Sequence, residues 1–119
     1  MQIQIHEQGS KRIAEIISNN IILHSAEDGL QLMADLYYQD IEKIIMHEKN
    51  ITPAFFDLKT RLAGEVLQKF SNYKVQLAIV GDFSQYPGQS MKDFIFESNK
   101  GRLVNFLPDV EVAKERLFR

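Results

Sequence analysis

The 119-residue chain contains no cysteine. That absence removes disulfides, thiolate catalysis, cysteine-ligated zinc and iron–sulfur chemistry together. Concentrated positive charge is missing too. Fourteen basic side chains against sixteen acidic ones leave a formal net charge of -2, and no run of Lys or Arg forms between Lys11 and Arg119. Nucleic-acid binders gather positive charge, because releasing phosphate counterions supplies their affinity. No nucleic-acid partner is expected. Long apolar runs are also lacking: the longest, Leu77 to Gly81, is about a quarter of a membrane span. The first residues alternate polar and apolar (Gln2, Ile3, Gln4, Ile5, His6), unlike the apolar centre of a signal peptide. A cytoplasmic protein without a membrane partner is expected. There is no internal repeat, low-complexity stretch or linker, and the length suits one core. Residues 1–119 read as a single domain.

What is present is average globular composition, 45% hydrophobic and 25% charged, with clear periodicity. Gln2 to Glu7 alternates with period two, Gln8-Gly9-Ser10 supplies a turn, and Lys11 to Ile17 alternates again, which reads as an antiparallel hairpin. Ser25 followed by Asp28 is a helix-start pair, and Leu30, Met33, Ala34 and Tyr37 form a stripe on the helix after it, ending near Gln39 or Asp40. Lys43 to His47 is a strand buried on both faces. Thr52-Pro53 opens what reads as the longest helix, with Phe55, Leu58, Leu62, Val66 and Phe70 at helical spacing to about Asn72. Gly64 sits in its middle at a cost of roughly 1 kcal/mol against alanine, which suggests close packing on the sheet. Gln76 to Gly81 is a buried strand suited to a central parallel position. Ser90 and Asp93 repeat the capping spacing before a helix stopped by Asn99-Lys100-Gly101. Leu103 to Leu107 is the last strand. Pro108-Asp109 opens a final helix with Val112, Ala113 and Leu117 inward. The order is ββαβαβαβα: an α/β fold with a mixed, mostly parallel sheet of four or five strands. The helix-containing crossovers require strands two to five to run parallel wherever they pair, and only the first antiparallel.

That order is similar to the STAS domain, the fold of anti-sigma-factor antagonists and of anion-transporter tails. At the junction after the third strand, STAS proteins carry Phe-Ile-Asp-Ser-Ser-Gly-Leu-Gly. This chain reads Phe55-Phe56-Asp57-Leu58-Lys59-Thr60-Arg61-Leu62-Ala63-Gly64. Leu58 and Lys59 stand where the two serines would be, one of them that family's regulatory phosphorylation site; Thr60 is the only hydroxyl nearby, and it is displaced. The resemblance implies a regulatory or protein-interaction module whose partner meets the Lys59-Thr60-Arg61 region. Phe56 to Glu65, Leu77 to Phe83 and Asp93 to Asn99 carry a second likeness, which spans essentially the whole chain. In these segments the chain resembles the bacterial family called domain of unknown function 4180, a resemblance that implies no activity.

The sequence identifies no reaction, and no cofactor is expected. In open parallel sheets, ligands collect beyond the carboxyl ends of the strands. Asn50, Asp82 and Ser84 fall there; Asp57, Lys59, Thr60 and Arg61 fall on the expected long helix. Asp82 could act as a general base or hold a cation, but a carboxylate that caps its own loop is about three times as common a role. Gly81 to Ser84 has one glycine and no following Lys-Ser/Thr, so it is not a phosphate loop. Ser84 and Ser90 lack the Gly-x-Ser-x-Gly elbow. His6, His24 and His47 are too far apart in sequence to suggest a metal site, which needs three or four convergent ligands. Lys59, Thr60, Arg61 and Glu65 read first as a solvated face. Phe56 and Phe96 lie off the core stripes and, with Tyr37 or Tyr38, are candidates for a partner surface. The leading reading is therefore a regulatory or interaction module. Its competitors are a small-molecule-binding protein or enzyme at the sheet edge, and a structural domain that associates with a second copy of itself.

Overall fold

A computed structural model describes residues 1–119. The hairpin consists of β1 (Gln2–Gln8) and β2 (Lys11–Ile17), paired antiparallel in unbroken register from Gln2↔Ile17 to Gln8↔Lys11. Gly9 turns it at φ 62, the positive φ that a type II′ hairpin needs at its first central position. Then follow α1 (Ala26–Tyr37), β3 (Lys43–His47), α2 (Leu62–Tyr73), β4 (Gln76–Val80), α3 (Gln89–Lys100), β5 (Val104–Leu107) and α4 (Val110–Leu117). The sheet order is β1-β2-β3-β4-β5, with every pair after the hairpin parallel. The expected element order and pairing are both observed.

Stepping strand by strand in one direction with right-handed crossovers puts all three crossover helices on the same face. The core divides accordingly. Twenty-three buried residues lie on the face of α1, α2 and α3, including Ile44, Met46, Leu77, Ile79 and Phe70. Seven lie under α4, the one helix that does not cross between strands: Ile13, Ile45, Ala78, Val80, Leu107, Ala113 and Leu117. The C-terminal turn of α4 is held by two lysines, Lys43 Nζ donating to the Leu117 carbonyl at 2.7 Å and Lys11 Nζ to that of Phe118 at 2.8 Å. Cations belong there, because the free carbonyls form the negative end of the helix dipole.

The expected long helix does not form as one piece. Short 3₁₀ turns occupy Pro53–Phe56 and Leu58–Thr60, and the α-helix begins only at Leu62. Thr52 makes no capping bond. The Asp57 carboxylate accepts from Lys59 N–H at 3.1 Å, and Thr60 Oγ1 donates to the carbonyls of Ala54 (2.6 Å) and Asp57 (2.8 Å). Such local bonds offer the backbone an alternative to the helical ladder, and Arg61 breaks the path outright at φ 66.

The other helices also differ from their sequence pattern. A Cβ at Gly64 would meet nothing within 4 Å, so this glycine does not serve close packing; the closely packed helical glycine is Gly29, where a Cβ would lie 3.4 Å from the Phe70 ring. Ser90 does not cap α3, which starts from Gly88 without a side-chain cap, and Asp93 instead accepts from Gln89. On α1 the buried residues are Ala26, Gly29, Leu32, Met33 and Leu36, whereas Tyr37 is 70% exposed. That helix has apolar residues around much of its circumference, so two phases fit its pattern. On α4, Ala113 and Leu117 are buried but Val112 faces solvent.

Candidate functional site

The carboxyl ends of β3 and β4 meet where Gly81 passes Glu48. A Cβ on Gly81 would lie 2.6 Å from that of Glu48, so only glycine lets the strands lie this close. The approach brings Glu48 within reach of Tyr86, whose hydroxyl donates to the Glu48 carboxylate. Tyr86 also stacks on Phe56, ring centroids 4.3 Å apart and 10° from parallel. Burial, followed by the Glu48 carboxylate, pushes the Tyr86 phenol far above its usual pKa. It stays protonated and acts as a fixed donor. Beside the stack lies a recess of about 360 Å³ lined by Phe56, Asp57, Leu58, Lys59, Tyr86, Pro87, Gly88, Ser90 and Met91.

Leu58 also lines a second, more open groove of about 590 Å³, with Arg61, Gly64, Glu65, Gln68, Lys69 and Phe94. The 3₁₀ turns explain how these residues come together. By ending the chain's approach with a left-handed Arg61, they swing Lys59 and Arg61 out beside the first turn of α2. Bare Gly64 then leaves the groove without a side chain at its centre.

The candidate residues named from the sequence divide between these places and others. Asp57, Lys59, Thr60 and Arg61 do cluster, on the 3₁₀ turn and not on a helix. Asp57 and Thr60 are engaged in holding that turn, which leaves Lys59 and Arg61 as its free charges. Asn50 is completely buried: its Nδ2 donates to the carbonyls of Ser18 and Asn20, both at 2.8 Å, and ties the loop after β2 to the end of β3. That role is structural and sets it apart from any exposed edge site. Asp82 accepts from both the backbone N–H (3.0 Å) and the Oγ (2.6 Å) of Ser84. Those bonds, the hydroxyl's first, hold its carboxyl below the usual range, which is unlike a general base. Asp82 and Ser84 cap their own loop. Phe56 is buried, whereas Phe96, Tyr37 and Tyr38 are exposed.

One cluster is not legible in the sequence. Glu15 on β2 lies between His6 on β1 and His47 on β3. Its Oε1 is 2.8 Å from His6 Nε2 and its Oε2 is 2.8 Å from His47 Nε2. Glu15 is only 7% exposed. Burial favours its neutral form, but the hydrogen bonds and charge of His47 and His6 outweigh this and leave its pKa lowered. Each histidine takes a different oxygen, and no three His, Cys, Asp or Glu side chains converge to hold a metal ion. The period-two alternation did place Glu15 on the face of Ile13. Only strand order, which puts β1 and β3 on either side of β2, brings in the two histidines.

The model of the family described as domain of unknown function (DUF4180) matches residues 8–117. The chain belongs to this family. The DUF4180 match takes in β2 through α4, and so Glu15, His47, the Tyr86 recess and the groove beside α2; His6 lies outside it. Among curated proteins, none matches the sequence. Among solved structures, the chain is similar to a Thermotoga maritima protein assigned as an anti-sigma factor antagonist. The two share 15% identity over 98% of this chain and 95% of that one, with a TM-score of 0.48. No helix of this DUF4180 chain is long and apolar enough to cross a membrane.

Proposed function

We propose that this DUF4180 chain is a regulatory protein-interaction module whose partner docks in the groove between α2 and α3. The observation that carries the reading is the groove itself: open, glycine-centred at Gly64, with Leu58 and Phe94 as apolar contacts. Arg61 and Lys69 outnumber Glu65 along it, and Lys59 adds a positive charge on the adjoining recess, so the partner segment is expected to be acidic. Apolar anchors ringed by charge are the usual make-up of a transient interface. The competing reading, an enzyme or small-molecule site at Asp82, is disfavoured because that carboxylate is already committed to Ser84.

The test is capture from an extract of the source cells by the wild-type protein and by the double reversal Lys59→Glu/Arg61→Glu. Capture should be lost, while stability moves by no more than about 0.5 kcal/mol, as for other surface changes. Undiminished capture by the folded double variant would place the interface elsewhere.

A further inference from the structure

The two edges of the sheet are finished differently. On β5, the side chain of Asn99 near the end of α3 takes the place of a neighbouring strand. Its Nδ2 donates to the Phe106 carbonyl at 3.0 Å, and its Oδ1 accepts from Phe106 N–H at 2.7 Å. Ser98 Oγ donates to the Val104 carbonyl beside it. The Val104 carbonyl and both Phe106 groups, which a passing strand would use, are occupied.

β1 has no such cover. No backbone group of residues 2–8 bonds to anything outside the hairpin ladder. Edge strands are normally blunted by proline, by lysine, by a bulge or by being very short. β1 is seven residues long, Gln-Ile-Gln-Ile-His-Glu-Gln, with an unbroken register. In a two-residue hairpin the closing pair, here Gln8 and Lys11, exchanges both hydrogen bonds, and bonded pairs then alternate along the ladder. The N–H and C=O groups of Ile3, Ile5 and Glu7 therefore point outward.

We propose that this edge pairs antiparallel with β1 of a second copy, joining two sheets into one of ten strands. The strand is self-complementary about a two-fold axis at Ile5. Ile5 then faces Ile5 of the other copy, Ile3 faces Glu7, and Gln4 faces His6. Like charges, which would destabilise opposed positions, do not meet. Ile3 and Ile5, only half-buried against the main core, gain cover from their counterparts on the same face. A hetero-partner would need a chemistry that nothing on this edge specifies; a second copy needs only what β1 already carries.

Light scattering on the eluting full chain tests this, with a mass of twice 13.8 kDa expected. Two variants act on the contact and spare the monomer. Glu7→Pro removes an outward N–H and no ladder bond. Gln2→Lys/Gln4→Lys/Gln8→Lys sets lysines opposite one another at both ends of the junction. Each should elute at the single-chain mass with an unchanged circular dichroism spectrum. A wild-type chain that remains single at millimolar concentration, or a dimer that survives both variants, would overturn the proposal.

Discussion

Glu15 is the residue at which the largest opposing effects meet. A carboxylate buried without partners would lose its hydration and be driven neutral. Here two imidazole N–H groups at 2.8 Å restore what water would have supplied, and its folded-state pKa ends below the ordinary 4.5. A carboxylate with a depressed pKa stabilises the fold fully above its unfolded value and progressively less as pH falls through the folded one. The protein should therefore lose stability from about pH 4.5 downward in step with Glu15. Glu15→Gln should lower stability at pH 7 by roughly 1–3 kcal/mol and flatten that acid slope. Urea midpoints collected between pH 7 and pH 3 measure both, and an unchanged slope would contradict the assignment. Arg61 gives a second prediction of this kind. Its φ of 66 is strained for a residue with a Cβ, so Arg61→Gly should raise the melting temperature, by up to about 1 kcal/mol of stability, while weakening partner capture. A lower melting temperature would show that the arginine side chain, not the backbone, holds the turn.

Among the secondary-structure elements, the glycines separate what α2 does from what the strands do. Gly64→Ala should stabilise the protein by roughly 0.5–1 kcal/mol, the usual helix-interior difference, because the added methyl meets nothing. Gly81→Ala should destabilise it by roughly 1–3 kcal/mol, because the methyl collides with Glu48. Thermal melts of the two variants should shift in opposite directions; a shared direction would contradict the packing described for one of them. Asn99→Ala should cost about 1–3 kcal/mol by unpairing both Phe106 groups, and should expose the β5 edge to association, seen as turbidity on heating. The strands and their pairing were legible in the sequence because Ile44-Ile45-Met46 and Leu77-Ala78-Ile79-Val80 are apolar on both faces, a pattern that few other elements can satisfy. The start of α2 was not legible. Thr52-Pro53 imitates a helix opening, and Phe55 and Leu58 keep helical spacing, while the breaking chemistry comes from side-chain bonds of Asp57 and Thr60 that spacing does not encode. The phase of α1 was hidden for a different reason: apolar residues on several sides leave the choice to tertiary contacts, here Gly29 against Phe70.

Viewed whole, the molecule has one heavily covered face and one lightly covered face. Three helices bury most of the core on the first; α4 alone shields the second, and the His6–Glu15–His47 cluster lies on that second face. Each candidate surface occupies a different part of this body: the groove beside α2, the exposed tyrosines Tyr37, Tyr38 and Tyr73 around a 420 Å³ recess, and the loop of Asp82 and Ser84. The sequence located Arg61 within the first of these and Lys59 on the recess beside it, but could not show the groove, because its open centre depends on a glycine whose exposure only the packing decides. The measurement that most directly tests the interaction account is site-specific photo-crosslinking, with a photoreactive residue placed singly at Gln68, Tyr38 or Ser84 in otherwise wild-type protein. A partner crosslink is expected from Gln68 and none from Ser84 or Tyr38; a crosslink from Ser84 or Tyr38 with none from Gln68 would place the interface outside the groove.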